Sequence, residues 1–312
     1  MNAMADLCIL IPTFERYRPI AEFTRSKIAE YWPAHPPVFF CGLAPRAAEE
    51  SCLELRDDPA DWMALVRSAC GDLRARGFTK CYLILDDHPP LEPCHARHLN
   101  ETLPALMDRL RAAFINLHGW GQHKPRQGRR FGARDFHLEQ PAHEYLWKFA
   151  LHPGLWNLAA LTGLLDLLLA TSDRSERTCW KFERRAGALQ LPAPLRDSSY
   201  RICGAKMTAR RGAWLFARWR AAELFAFDVL RFLIRIGAGQ RARARFDGAR
   251  LGAYHFYDGP YPLFWSGLMK KGRLNPDLVF FLRLHRRHSF LAEVERAVAG
   301  LAAQPQTPVS SP

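Results

Sequence analysis

The sequence contains no apolar run that is long enough to cross a bilayer. Its most apolar stretch, residues 155–170, is interrupted by Asn157 and Asp166, and it falls short of the roughly 20 residues that a transmembrane helix requires. The amino-terminal residues carry an acid and no basic segment, which is not the pattern of a secretory signal peptide. We therefore expect a buried helix over residues 155–170 and a cytoplasmic location.

Motifs that pair cysteines are also missing. The 8 cysteines form no Cys-x-x-Cys pair, and several lie inside apolar runs. Buried free cysteine behaves as a small hydrophobic residue, so we expect reduced thiols of the kind found in cytoplasmic proteins. His88, Cys94, His95 and His98 lie close together in the sequence, but they lack the second ligand pair of a usual zinc site. The sequence therefore argues against structural zinc.

Acidic residues are too few to balance the basic ones. The chain has 44 Lys and Arg against 31 Asp and Glu, a formal net charge of +13, which suggests an anionic partner. It has no RNA-recognition signature, no zinc-finger spacing and no evident helix-turn-helix, so nucleic acid is disfavoured. The basic clusters are scattered, at residues 121–136, 238–244, 270–273 and 285–288. This distribution favours a phosphorylated donor or an anionic acceptor first, and a membrane surface second.

The first half of the chain alternates short apolar runs with helical patterns. The runs are apolar throughout, which is typical of a parallel sheet covered on both faces. With no internal repeat and no evident linker, we expect a single domain over residues 1–303 and a disordered polar tail at 304–312. The predicted strands cover residues 7–11, 37–41, 81–85 and 113–117, and the predicted helices cover 19–31, 58–77 (capped by Asp58) and 102–113.

The second half is less regular. Residues 121–136 are basic and contain glycine, so we expect an exposed loop. Trp156 is expected to begin the apolar helix, where it either contacts a sugar or packs into the core. Residues 214–236 predict a long amphipathic helix that either lies on an anionic membrane or packs on the domain. Ser289 is the expected cap of a last helix over residues 290–302.

An acidic motif, Asp86-Asp87-His88, directly follows the third predicted strand. In open α/β sheets, ligands bind outside the carboxyl ends of the strands. Two adjacent carboxylates there repel each other unless a cation or hydrogen-bond donors lie between them. A divalent metal meets that need and would also neutralise a bound diphosphate. The alternative is a turn in which an aspartate caps backbone amides before Pro89 and Pro90.

A second set of candidates, Pro12, Thr13 and Arg16, ends the first predicted strand at the same edge of the sheet. Thr13 and Arg16 have the donors to bind a nucleotide or its phosphates. The alternative is an ordinary strand-to-helix turn with a solvated arginine.

The succession of ILIPTFER, a helix with Asp61 and Arg67, and YLILDDH resembles the nucleotide-binding half of GT-A-type glycosyltransferases. The resemblance covers about residues 6–120. It implies a GT-A-like α/β fold, with a mostly parallel central sheet flanked by helices and a helix-rich C-terminal elaboration. Residues 137–303 would then form the acceptor-binding half.

The resemblance also implies roles for single residues of the nucleotide site. Pro12, Thr13 and Arg16 would line the site for a nucleotide-sugar donor. Asp61 and Arg67 would lie near the base or the ribose.

A Mn²⁺ or Mg²⁺ ion at the acidic motif is a further implication of the resemblance. Asp86 and Asp87 would approach the metal and the diphosphate, and His255, in an aromatic turn, would complete the metal sphere. The family's Asp-x-Asp pattern is replaced here by Asp-Asp-His, which leaves open which carboxylate binds metal. A packed, hydrogen-bonded role is the alternative for His255.

The catalytic base is expected in the second half, where the family has a carboxylate that deprotonates the acceptor hydroxyl. Glu183 in WKFERR is the first candidate, because Trp180 and Phe182 could desolvate it and offer a flat face to a sugar ring. Asp197 and Asp258 are further candidates. The alternative for Glu183 is a surface carboxylate paired with a neighbouring arginine.

Together these observations predict a metal-assisted glycosyltransferase, with inverting stereochemistry favoured. It would move a sugar from a nucleoside diphosphate, with UDP preferred, to a hydroxyl of a glycan or a lipid-linked glycan, the latter with a peripheral contact at the inner face of the membrane. Two alternatives stay open. One is a non-enzymatic binding protein for anionic polysaccharide or nucleic acid. The other is a nucleotidyltransferase, although the first strand lacks the Gly-rich phosphate loop or activating lysine that it would need.

Overall fold

The structure is a computed structural model of the chain. Its description covers residues 5–44, 51–54, 57–58, 60–117, 128–131, 136–140, 149–189, 195, 197–204, 229, 256–257, 259–270, 272–284 and 286–302.

The described residues form a central eight-stranded sheet with the strand order β2-β1-β3-β7-β4-β8-β6-β5. Strands β6 and β7 run opposite to the other six. This confirms the expected α/β class with a mostly parallel sheet. The strands are β1 (Leu7–Pro12), β2 (Val38–Cys41), β3 (Lys80–Leu83), β4 (Phe114–Asn116), β5 (Gly128–Phe131), β6 (Phe136–Glu139), β7 (Gly154–Asn157) and β8 (Ser199–Gly204).

Helices flank this sheet, and two short antiparallel ribbons follow it in the chain. The ribbons pair β9 (Phe256–Tyr257) with β10 (Leu263–Phe264) and β11 (Met269–Lys270) with β12 (Arg273–Leu274). The α-helices are α1 (Arg18–Tyr31), α2 (Trp62–Ala75), α3 (Leu103–Leu110), α4 (Leu158–Thr171), α5 (Cys179–Ala188), α6 (Pro276–Leu284) and α7 (His288–Ala302). None of the helices in the described ranges is long and apolar enough to cross a membrane.

The core lies on both faces of the sheet because successive side chains of a strand point to opposite sides. In β1, Leu7 and Ile9 join the cluster that α1 and α3 cover. Cys8 and Leu10 join the cluster that α2, α4 and α5 cover. Helices α6 and α7 pack on the outside of α1 in a third cluster. The cysteines whose side chains the structure describes are free, namely Cys8, Cys41, Cys52, Cys70, Cys81, Cys94 and Cys179.

Helix α2 begins later than expected. Asp61 caps it, with its carboxylate accepting a hydrogen bond from the backbone amide of Ala64 at 3.0 Å, and the helix starts at Trp62. Asp58 instead accepts from the amide of Ala60 at 2.8 Å, in the turn before the helix. A cap must reach an amide of the first turn, and Asp61 is the residue that does so.

The apolar stretch at residues 155–170 is only partly helical, so the predicted start at Trp156 is wrong. Its first residues belong to β7, which pairs with β3 and β4, and α4 begins after Asn157, whose side chain accepts from the amide of Ala160 at 3.0 Å. Trp156 is buried and stacks on Phe114 with ring centroids 4.2 Å apart. It is therefore a core residue and no sugar contact.

Two other expectations about the second half need correction. Residues 121–136 include β5 and the first residue of β6, so they are not simply an exposed loop; these strands continue the sheet beyond β8 by antiparallel pairing. Ser289 lies within α7, which begins at His288, and so does not cap it. The predicted helix 214–236, apart from position 229, and the tail 304–312 lie outside the described residues.

Candidate functional site

The residues that follow β1 and β3 lie side by side because these strands are parallel neighbours. The hydroxyl of Thr13 donates a hydrogen bond to Asp86 Oδ2 at 2.6 Å. The Thr13 amide donates to the carbonyl of Cys41, at the end of β2, at 3.0 Å. Thr24 of α1 bonds the backbone carbonyl of Asp86. Asp86 is thus fixed by two hydroxyl groups from different elements.

Gly42 makes the close approach of β2 to Thr13 sterically feasible. Its φ angle is +90°, and a Cβ atom there would lie 2.1 Å from the carbonyl oxygen of Thr13. A side chain is excluded by both the backbone conformation and the contact. The glycine therefore supports the position of Thr13.

The electrostatics of Asp86 reflect its crowded setting. Burial raises the pKa of Asp86 to about 7, and the carboxylate of Asp87 contributes further, while the hydrogen bond from Thr13 opposes the rise. Such a carboxyl favours a nearby positive charge, because a cation would stabilise its ionised form.

His88 is held between two hydrogen-bond acceptors. Its Nδ1 lies 2.8 Å from Asp87 Oδ1, and its Nε2 lies 3.3 Å from the backbone carbonyl of Trp265. A carboxylate and a carbonyl both accept, so this setting favours the protonated ring, in which both nitrogens donate. Burial lowers the pKa of His88, but the charge and hydrogen bond of Asp87 outweigh this and raise it. His88 therefore balances the charge of Asp87.

Residues 265–269, which we call the strap, cross over the acidic motif. The amide of Leu268 donates to the backbone carbonyl of Asp87 at 2.7 Å, and the amide of Met269 lies 3.4 Å from Asp87 Oδ2. Gly267 has φ +71°, and a Cβ atom there would lie 2.4 Å from Asp87 Oδ2. Both oxygens of Asp87 are thus engaged by the protein. Sequence reasoning missed the strap, because its only local signal is one glycine.

His152 contacts the strap through Trp265. Its Nε2 lies 3.0 Å from the carbonyl of Trp265, and its ring stacks on the indole with centroids 5.3 Å apart and planes 10° apart. The ring also meets that of His88 edge-on, at 5.5 Å. Two histidines therefore converge on one carbonyl of the strap.

Helix α5 brings Glu183 to the same site. Phe182 is buried and packs edge-on against Trp62 at 5.5 Å, which anchors the helix to the domain. Glu183 Oε1 accepts from the amide of Leu151 at 2.5 Å. Burial raises the pKa of Glu183, and the Leu151 amide and the charge of His88 limit the rise. Leu151 precedes His152, which contacts the strap, so this hydrogen bond places Glu183 near that side of the site.

The first residue of α5, Cys179, is partly buried and packs against the core cluster that α5 covers. Burial raises the pKa of Cys179 to about 12, and the charges of Asp86 and Asp87 contribute. Cys179 is therefore a neutral thiol at ordinary pH.

The arginine that the sequence favoured after β1 is not the one that the fold holds in place. Arg16 is exposed. Arg18 is buried, and it pairs with Glu15 at 2.8 Å and donates to the carbonyl of Ala44 at 2.6 Å. Pro12 is buried at the end of β1. Arg18 thus connects the segment after β1 to the segment after β2 by a hydrogen bond.

Asp61 and Arg67 have partners on the side of α4 and α5. Asp61, besides capping α2, pairs with Arg177 at 3.1 Å. Arg67 pairs with Asp166 of α4 at 2.9 Å, and both side chains are half exposed. These contacts join α2 to its neighbours and do not bring either residue to the acidic motif.

Three further candidates from the sequence are His255, Asp258 and Asp197. His255 and Asp258 lie outside the described residues. The backbone carbonyl of Asp197 accepts from the side chain of Gln140 at 2.7 Å, on the side of β6 and β8.

Within the described ranges, no group of three or more His, Cys, Asp or Glu side chains is arranged to hold a metal ion. The two carboxylates Asp86 and Asp87 still suit Mg²⁺ or Mn²⁺, because such ions are often held by one or two carboxylates together with substrate phosphates and water.

Comparisons with known proteins leave the function to be argued from this geometry. No protein-family model matches the chain, and no curated protein sequence matches it. The chain is similar to the crystal structure of mannose-1-phosphate geranyltransferase from Thermus thermophilus, with 15% identity over 63% of this chain and 73% of that chain and a TM-score of 0.29. A similarity at that level supports no inference about activity.

Proposed function

We propose that the protein is a GT-A-like glycosyltransferase that moves a sugar from a nucleoside diphosphate, preferentially UDP, to a hydroxyl of a glycan or a lipid-linked glycan. The observation that carries the proposal is the hydrogen bond of 2.6 Å between Thr13 and Asp86 at the edge of the sheet. Glu183 comes from a helix about a hundred residues further along the chain. It accepts from the amide of Leu151, next to His152, which contacts the strap.

Asp86 and Asp87 are the residues that would hold a divalent cation. Mn²⁺ or Mg²⁺ there would neutralise charge on the leaving diphosphate. Asp86 is the better ligand, because burial raises the pKa of its carboxyl to about 7 and a cation would relieve that penalty. Asp87 already has His88 as a partner at 2.8 Å.

Glu183 acts as the general base in the proposed reaction. It accepts the proton of the acceptor hydroxyl as that oxygen forms a bond to the anomeric carbon of the donor sugar. The bond from that carbon to the diphosphate oxygen breaks, and the nucleoside diphosphate leaves with the bonding electron pair. A single displacement of this kind inverts the anomeric centre. The raised pKa of Glu183, caused by burial, suits a base that must take a proton near neutral pH.

The surrounding residues orient the reacting groups. Thr13 fixes the rotamer of Asp86, and the amide of Leu151 fixes that of Glu183. The strap is held against the motif by Asp87 and His152. Fixed groups of this kind lower the reorganisation that the reaction requires.

Calorimetry with UDP, in the presence and absence of Mn²⁺, tests the proposal. We expect UDP to bind with Mn²⁺ and to bind much more weakly with EDTA. Asp86→Asn should remove the dependence on metal, whereas Asp173→Asn, at an exposed position between α4 and α5, should not change it. If no nucleoside diphosphate binds the native protein with Mn²⁺ or Mg²⁺, the proposal is wrong.

A further inference from the structure

Helix α5 presents four different side chains in order around its circumference. In an α-helix successive residues are about 100° apart. Cys179 and Glu183 are therefore about 40° apart, Glu183 and Trp180 about 60°, and Trp180 and Arg184 about 40°. The order around the helix, from the side that packs on the core to the outer side, is Cys179, Glu183, Trp180 and Arg184.

Burial and electrostatics confirm this order. Cys179 lies within reach of the charges of Asp86 and Asp87. Glu183 is half-buried at the boundary. Trp180 is 85% exposed, the highest value among the large hydrophobic side chains in the described part of the chain. Arg184 is exposed beside it.

An indole at this level of exposure offers a large apolar face to a ligand. Its neighbours indicate what kind of group that is. Glu183 lies one helical turn away on the inner side, and Arg184 lies one turn away on the outer side. A ligand covering Trp180 would reach the carboxylate of Glu183 with one edge and the guanidinium of Arg184 with the other.

We propose that the acceptor is an acidic sugar, whose pyranose ring stacks on Trp180 and whose acid group pairs with Arg184. A pyranose has an apolar face that fits an indole, and it has hydroxyl groups at its edge that would meet Glu183. Arg184 is suited to a carboxylate or phosphate, because its planar donors match two oxygens at once. This inference rests on the proposed function and adds to it the class of the acceptor.

The test is saccharide binding without any nucleotide, measured by calorimetry and by tryptophan fluorescence. Because the chain has 9 tryptophans, the signal of Trp180 is taken as the part that is lost in Trp180→Phe. The probes are trigalacturonic acid, its methyl ester as the uncharged match, and glucose 6-phosphate against glucose. We expect the acidic member of at least one pair to bind more tightly. A difference in the first pair would show that the site binds a carboxylate, and a difference in the second pair would show that it binds a phosphate. Equal binding of both members in both pairs, or no binding of any acidic saccharide, would overturn the proposal.

Variants of exposed residues make the test specific. Trp180→Ala should weaken binding of the acidic saccharide by about fivefold to tenfold, and Trp180→Phe should restore most of it. Arg184→Gln should weaken binding of the acidic saccharide by about threefold and leave binding of its neutral partner unchanged. Arg283→Gln, an exposed arginine of α6, is the matched control and should change neither. Unchanged binding in Trp180→Ala and Arg184→Gln would refute the assignment.

Two further outcomes separate this inference from its rivals. A shift of Trp180 fluorescence with phosphatidylglycerol vesicles, but with none of the saccharides, would show a membrane contact and overturn the proposal. Binding of UDP with Mn²⁺ is measured separately on the same protein. If it is absent while acidic saccharides bind at Trp180, the proposed function fails and the saccharide site stands.

Discussion

The hydroxyl of Thr13 donates to Asp86 Oδ2 at 2.6 Å, although 73 residues separate them in the sequence. The contact exists because β1 and β3 are parallel neighbours that end at the same edge of the sheet. It also opposes the burial that raises the pKa of Asp86. A threonine at the end of one strand thus favours the ionised form of a carboxyl at the end of the next.

Replacing Thr13 with valine should therefore weaken metal-dependent UDP binding. The substitution keeps the shape and removes the donor, so the ionised form of Asp86 loses a hydrogen bond worth about 1.5 kcal/mol or more. We expect a loss of about tenfold in affinity, measured by calorimetry with Mn²⁺. Thr171→Val, which removes an exposed hydroxyl of α4, is the control. Equal affinity in Thr13→Val and the native protein would show that this hydrogen bond does not support ligand binding.

The sequence is sufficient to predict the edge of the sheet at which this contact lies. The runs at β1, β2, β3 and β4 are apolar on both faces, which identifies them as buried strands without any coordinates. Parallel strands then place the residues that follow them at one edge of the sheet. The strand order of the structure, in which β1 and β3 are neighbours, is what brings Thr13 to Asp86.

Features that depend on distant pairing could not be predicted in this way. The stretch at residues 155–170 is apolar on both sides of Asn157, and only the pairing of β7 with β3 and β4 shows that the residues before Asn157 form a strand. Similarly, Arg16 and Arg18 look alike in the sequence, and the carbonyl of Ala44 decides which one is buried. The strap depends on contacts with Asp87 from 182 residues away.

Glu183→Gln should abolish transfer and leave nucleotide binding intact. The amide oxygen of glutamine can still accept from Leu151, so the position of the side chain is kept while its basicity is lost. Loss of a general base lowers kcat by about 10²–10⁴, and UDP affinity should stay within about twofold because Glu183 acts on the acceptor side. Kinetics with a nucleotide-sugar donor and calorimetry measure the two quantities. Glu101→Gln, at an exposed position, is the control, and a normal kcat in Glu183→Gln would remove this residue from the mechanism.

The dependence of transfer on pH should carry the signature of the same residue. Burial raises the pKa of Glu183 above its ordinary value. Only the carboxylate can accept a proton, so the rate should fall as the pH is lowered through this raised pKa. The acid limb of kcat should then lie at a higher pH than an exposed glutamate would give. Measurement of kcat against pH in the native protein tests this, and an acid limb at the pKa of an exposed glutamate would contradict the assignment.

Gly267→Ala should loosen the strap and weaken binding at the acidic motif. Its φ of +71° disfavours any side chain, and the new Cβ atom would lie 2.4 Å from Asp87 Oδ2. We expect a cost of about 2 kcal/mol or more, a fall in Tm of roughly 3 °C or more, and weaker UDP binding with Mn²⁺. Gly163→Ala, in α4, has no atom within 4 Å of the added Cβ and should be neutral or stabilising, because alanine favours a helix. If both variants unfold at the same temperature as the native protein and bind UDP equally, the contact between the strap and Asp87 has no part in the site.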